Sequence, residues 1–269
     1  MMGASLCKSI KKYKIAKKMS GFDRDLTTLN FASENKIVDI AYNTLDNLDH
    51  PDLIILCTPI SAYTEITNQI SKSINKKTIM TDIGSSKGNS YQKIIKKLSQ
   101  SKIDYLSSHP MVGSEKSGIR FSKTNMFENK IVFIIDKNNV SRSTYNDINS
   151  FWLSIGANTH NINKNQHDDL MAQTSHISHL MSYIFMESLP QSVIDNNLPL
   201  LLGGGIKEHV RLSRSDPTMW SDIFINNKKN IKKSVDVIEK NISKIKLLID
   251  QSDDKNLKAL LNKIQSKTT

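Results

Sequence analysis

Only two cysteines, Cys7 and Cys57, occur in 269 residues, far apart and without paired spacing. That scarcity excludes a disulfide framework and a cysteine-held metal site, and implies reduced thiols. No apolar run approaches the ~20 residues that cross a bilayer, and the N-terminus lacks the apolar core of a secretory signal. The expectation is a soluble, cytoplasmic protein without membrane contact. Aromatic residues make up 6% of the chain and are not interleaved with its basic residues, so stacking platforms for single-stranded nucleic acid are missing. Internal repeats, low-complexity tracts and flexible linkers are also absent. What is present in excess is positive charge, +11 net. The lysines are dispersed, as at Lys8, Lys11, Lys12, Lys17 and Lys18. This favours a solvated surface whose field suits an anionic small molecule, with no nucleic-acid partner.

The length allows two domains. In the first half, short apolar runs at residues 52–58, 78–83, 103–107 and 131–135 alternate with amphipathic stretches at 61–74 and 90–98. Strand, helix, strand in this rhythm predicts an α/β, Rossmann-like parallel sheet. From about Asn163 the pattern turns helical to the end of the chain, giving expected domains at 1–155 and 156–269. Apolar positions at Trp220, Phe224, Ile231, Val235, Ile238, Ile242 and Ile245 predict one long packed helix, with a dimer contact along it. Ser215, Asp216 and Pro217 form its start signal.

Residues 1–10 read as the opening of a helix. Gly3 and Asp23 have the separation of the third glycine and the ribose-binding carboxylate of a dinucleotide motif. The first two glycines and their strand are lacking, so the expectation is a sheet without its first strand and a start that lies inside a longer reading frame. Three strand ends should converge on one edge: Thr58 with Pro59, residues 84–88 with Ser85 and Ser86, and residues 108–110 with His109. His109 reads as an acid/base group or as a packing histidine. Arg211 reads as a bidentate anion clamp, with Arg214 assisting or exposed. His176 and His179 share a helix face with Tyr183, but no third metal ligand follows, so no metal is expected. Residues 203–205 read as a glycine turn between helices.

Taken in order, Thr58 and Pro59, residues 82–88, residues 109–115, residues 175–179, residues 203–205 and residues 211–220 resemble the prephenate/arogenate dehydrogenase family of tyrosine biosynthesis. The resemblance covers the chain apart from the lacking strand. It implies a dinucleotide domain followed by a helical dimerisation domain, in a monofunctional homodimer. The implied reaction is NAD-dependent oxidative decarboxylation of prephenate to 4-hydroxyphenylpyruvate, with arogenate oxidation to tyrosine as the alternative. In that frame His109 takes the ring-hydroxyl proton, and Ser85 bridges histidine, hydroxyl and nicotinamide. Ser114, Glu115, His176, Gly204, Arg211, Ser215 and Trp220 line the substrate. Gly3, Asp23, Arg24, Thr58, Pro59 and Ser86 face the cofactor, with Asp23 favouring NAD over NADP. Competing expectations are a 3-hydroxyacid-type dehydrogenase, which the His109 and Arg211 pair disfavours, and a truncated remnant that has lost cofactor binding.

Overall fold

The computed structural model describes residues 1–46, 48–113, 116–192 and 204–267. Helix α1 (Met2–Lys12) opens the chain, followed by β1 (Ser20–Phe22), α2 (Leu26–Glu34) and β2 (Ile40–Tyr42). Asp25 starts α2, its carboxylate accepting from the backbone N–H of Thr27 and Thr28. Then come β3 (Leu53–Leu56), a short 3₁₀ turn at Ile60–Ala62, α3 (Tyr63–Ser73), β4 (Thr78–Asp82), α4 (Gly88–Leu98) and β5 (Ile103–Tyr105). Strands β6 (Ser108–Pro110) and β7 (Ile131–Ile135), helix α5 (Arg142–Ser154) and strand β8 (Asn158–Ile162) complete the α/β part.

β3, β4 and β5 form a parallel sheet in the order β3-β4-β5, and β1 pairs parallel with β2 as a separate two-stranded piece. A third piece joins β6 antiparallel to β7, and β7 parallel to β8. The parallel Rossmann-like sheet is as expected, with β6 an antiparallel exception among the described pairings. Its partner is β7, reached through residues 111–130, rather than the preceding β5. The piece stays docked on β4: Leu106 N–H donates to Met80, and the Thr81 and Ser108 hydroxyls lie 2.9 Å apart.

Strand periodicity divides the core between two helix layers. Ile54, Leu56 and Met80 pack with α3 and α4, whereas Leu53, Ile55 and Ile79 pack with α1, α5 and Trp152. Alternation with a period of two on strands buried on both faces is the pattern of a doubly wound sheet. Trp220 and Ile223 from the C-terminal helices join the first layer, so the helical part is seated directly on the sheet's core.

That part comprises α6 (Lys164–Met171), a π-helical turn at Ala172–His176, α7 (Ile177–Glu187), α8 (Gly204–Ser213), α9 (Pro217–Asn226), α10 (Lys228–Asp250) and α11 (Asp254–Gln265). Two expectations need correction. The single long helix through Trp220 and Ile245 is interrupted at Asn227, between α9 and α10. The Asn227 side chain is buried and donates to the Asp168 carbonyl at 2.7 Å, a cross-link the apolar stripe does not reveal. Gly204 and Gly205 form the first turn of α8 rather than a free turn, while Gly203 lies outside the described residues. Within the start signal, Asp216 is the residue that caps α9, accepting from Met219 N–H at 3.0 Å with Pro217 at the first helical position. Among the described residues no helix is long and apolar enough to cross a membrane.

Candidate active site

The strand β4 ends on Asp82, which is 1% exposed. One carboxylate oxygen accepts from Tyr105 Oη at 2.9 Å, Ser107 Oγ at 2.5 Å and Ser108 N–H at 3.3 Å. The other accepts from Gly84 N–H at 2.9 Å and Lys87 Nζ at 2.8 Å. Lys87 is equally buried and spends its remaining two protons on the carbonyls of Gly84 and Ser108, both at 2.8 Å. A buried ion pair is tolerated when every donor and acceptor is matched. Here the matched pair ties the β4 loop to the strand that presents His109.

Helix α9 holds the same loop from the other side. Asn226 Nδ2 donates to Ser86 Oγ at 2.9 Å and to the Ser86 carbonyl. Gly88 sits at φ +31°, and a Cβ there would come within 1.9 Å of the Asn226 carbonyl oxygen. Only glycine permits that approach. Asp222 of α9 accepts from Ser61 Oγ at 2.5 Å, securing the turn after β3. Two strand-end loops are therefore fixed by one helix, where the sheet meets the helical part.

His109 stands at the centre of β6, opposite Phe133 of β7. It is 7% exposed. Its Nδ1 lies 2.8 Å from Nε2 of His167, whose Nδ1 lies 3.0 Å from Asp168 Oδ1. Burial, followed by the charges of His167, Lys87 and His176, holds the His109 pKa well below that of an ordinary histidine. A buried, neutral imidazole is a competent proton acceptor.

His176 ends the π-helical turn, 1% exposed, with Nδ1 3.2 Å from Asn227 Nδ2 and with Nε2 lacking a hydrogen-bond partner. Burial lowers its pKa to about 4. Trp220 packs edge-on against His176 and stacks on His179, with centroids 3.7 Å apart, and its indole N–H is also unpartnered. Unpaired buried donors are costly, so both N–H groups are candidates for a ligand or water contact. Among the described residues no three His, Cys, Asp or Glu side chains converge as a metal site.

Ser85 is half-buried with a hydroxyl free of hydrogen bonds, whereas Ser86 is buried and its hydroxyl accepts from Asn226 Nδ2. Arg211 is exposed on α8, in a two-pronged ion pair with Glu208 (Nε–Oε2 2.9 Å); burial, and to a lesser degree the Arg211 charge, lowers the His179 pKa. Gly204 is exposed at the start of α8, and the Ser215 carbonyl accepts from Tyr183 Oη at 2.9 Å. Gly3 lies in the first turn of α1, its would-be Cβ 3.1 Å from Cys57 Cβ. Asp23 follows β1, with exposed Arg24 beside it. Thr58 at the end of β3 has a buried hydroxyl without a partner, and Pro59 is exposed. Ser114 and Glu115 lie outside the described residues.

Sequence reasoning missed His167, Asp168, Asn226 and Asn227. The signal for the first two was slight: with the helix start at Asn163, His167, Asp168 and Met171 share the inward face of α6, an unusual place for a histidine and a carboxylate.

Two family models match the chain. One is described as the nucleotide-binding domain of prephenate dehydrogenase and covers residues 6–161; the other, its dimerization domain, covers residues 163–263. Among relatives, the prephenate dehydrogenase of Bacillus subtilis is 26% identical, over 96% of this chain and 70% of its own length. That of Lactococcus lactis is 25% identical, over 94% and 70%. The cyclohexadienyl dehydrogenase of Zymomonas mobilis is 22% identical, over 94% and 87%. Among solved structures, prephenate dehydrogenase from Aquifex aeolicus in complex with hydroxyphenyl propionate and NAD+ superposes with a TM-score of 0.87. That match is 26% identical and covers 99% of this chain and 93% of the other. Arogenate dehydrogenase from Synechocystis shares the fold, with a TM-score of 0.79 at 20% identity over 99% and 95%.

Proposed function

From the starting point that this chain belongs to the prephenate dehydrogenase family, we propose that it oxidatively decarboxylates prephenate, using NAD, with His109 managing the hydroxyl proton. The observation that carries this reading is a buried imidazole at a strand end, held neutral and tied through its Nδ1 to His167.

A dinucleotide fits the residues at the sheet edge. The first N–H groups of α1 have no intrahelical partner, and the absence of a side chain at Gly3 lets that turn approach Cys57 closely. Asp23 suits a ribose hydroxyl and repels a 2′-phosphate, favouring NAD over NADP. Thr58 offers an unsatisfied hydroxyl at the end of β3. The bound nicotinamide would supply the hydride acceptor.

The protein's own part is to orient the substrate and hold one proton. His109 Nε2 accepts the proton of the ring hydroxyl as the carbon that bears it gives up hydride. Decarboxylation then returns the bonding electrons through the ring to that oxygen as it aromatises. His109 hands the proton back to the phenolate, so no net proton is released. Ser85 orients the hydroxyl, Arg211 grips a carboxylate after parting from Glu208, and His176 and Trp220 line the ring with their free N–H groups. The helical domain makes a homodimer through apolar positions such as Ile242, Leu247 and Ile249 on α10, each more than half exposed.

Arogenate is the second reading, because relatives include cyclohexadienyl and arogenate dehydrogenases. Parallel assays with prephenate or arogenate, each with NAD or NADP, test both points. The proposal expects kcat/KM at least tenfold higher for prephenate with NAD, and a preference for arogenate or NADP would replace it.

A further inference from the structure

We propose that His167 and Asp168 are positioning residues that fix which nitrogen of His109 carries the proton and that stabilise its protonated form. The proposal rests on the reading of His109 given above.

The chain of hydrogen bonds starts at Asp168. Its carboxylate is buried against the N-terminus of α4, where Oδ1 accepts from Lys87 N–H at 2.9 Å and Oδ2 accepts from Gly88 N–H at 2.8 Å. The backbone carbonyl of the same residue accepts from Asn227 Nδ2. Two backbone donors at a helix start favour the ionised carboxylate. The His167 contact adds to them, and the Asp168 pKa is lowered accordingly despite burial. An ionised carboxylate can only accept. His167 Nδ1 must therefore carry a hydrogen, and a neutral His167 then has a lone pair on Nε2.

That lone pair faces His109 Nδ1 at 2.8 Å, with the rings nearly perpendicular at 81°. His109 Nδ1 must donate, which leaves its Nε2 as the lone pair. Each direction follows from the one before, so the backbone at the start of α4 determines the reactive tautomer two imidazoles away. When His109 takes up a proton at Nε2, its charge is shared through His167 with Asp168. A buried imidazolium without that partner would be strongly disfavoured.

Ring-nitrogen NMR of [15N]histidine-labelled protein, free of cofactor, reads the tautomer without turnover. The expected spectrum has His109 Nδ1 protonated and Nε2 as a free lone pair; the reverse assignment overturns the proposal. In Asp168→Asn, a single uncharged amide oxygen replaces the two carboxylate oxygens that accept from His167, Lys87 and Gly88, so the bond that fixes His167 is weakened and both histidines should show mixed tautomers. Turnover should then fall about 10²–10⁴-fold, as when a base loses its oriented tautomer, with KM for substrate and dinucleotide within about threefold. His167→Gln keeps an acceptor for His109 Nδ1 and should recover at least tenfold over His167→Phe. A folded Asp168→Asn with unchanged tautomer and kcat would defeat the inference. Wild-type protein that oxidises neither substrate would defeat the functional reading instead, and the wild-type spectrum would still decide the tautomer.

Discussion

His109 and His167 have nearly the same burial, yet only one was legible from the sequence. His109 follows an apolar run and precedes a proline and glycines, a context that places it at a strand end. His167 sits among polar residues on a helix, and its partner is 58 positions away, so its role depends on packing that local pattern does not encode. His109→Asn should lower kcat about 10²–10⁴-fold, the usual worth of a general base, while leaving the melting temperature close to wild type. Because burial depresses the His109 pKa, the acid limb of kcat/KM should fall below the ordinary histidine value near 6.5, activity being lost as pH drops through the depressed value. A limb at or above 6.5 would point to another base. Arg211→Ala should raise KM roughly 10–100-fold, matching ~1.5–3 kcal/mol for a hydrogen bond to a charged group, with kcat less affected.

Among the elements, the β4 loop joins the two halves of the molecule. Its sequence reads as a strand-end turn that presents Ser85 and Ser86 at the sheet edge. In the folded chain it has a second role, because Asp82, Lys87 and Gly88 clamp the sheet edge to β6 and α9. Lys87→Met would leave the Asp82 carboxylate buried without its cation, at a cost of about 3–5 kcal/mol. Denaturant unfolding measures this directly; a loss under about 1 kcal/mol would mean that the loop relaxes to admit water. The strands β3, β4 and β7 and the helices α3 and α4 were legible because each has a clear period and length, and β5 because it lies inside the apolar run at 103–107. Three-residue strands such as β1, β2 and β6 are too short to show one. The break at Asn227 was hidden because the apolar spacing continues across it, and only the side chain's bonds to Asp168 and His176 reveal why the helix stops there.

On the scale of the whole molecule, the change from strand to helix periodicity predicts the α/β-then-helical order, and the sheet with its two helix layers follows from alternation along β3 and β4. Chain pairing across space, as at β6 against β7, did not follow from periodicity. The folded chain holds His109, His167 and His176 neutral, with pKa values below 6.5. Unfolded, they bind protons at about 6.5, so the unfolded state takes up more protons once pH drops below that value. Stability should therefore be full above pH 6.5 and decline toward the His176 value of about 4. Melting scans at about pH 7.5 and about pH 5.0 should show the lower temperature in acid; equal values would mean the imidazoles stay solvated. Leu247→Lys should shift the sedimenting species from dimer to monomer without changing far-UV circular dichroism.

The chemistry itself is tested most directly by NADH formation when NAD and prephenate are added to the purified chain, with His109→Asn in parallel. The proposed mechanism expects steady NADH production by the wild type, with 4-hydroxyphenylpyruvate appearing in equal amount, and near-abolition in a folded, dinucleotide-binding His109→Asn. Wild-type turnover that persists undiminished in His109→Asn would contradict a mechanism centred on this histidine.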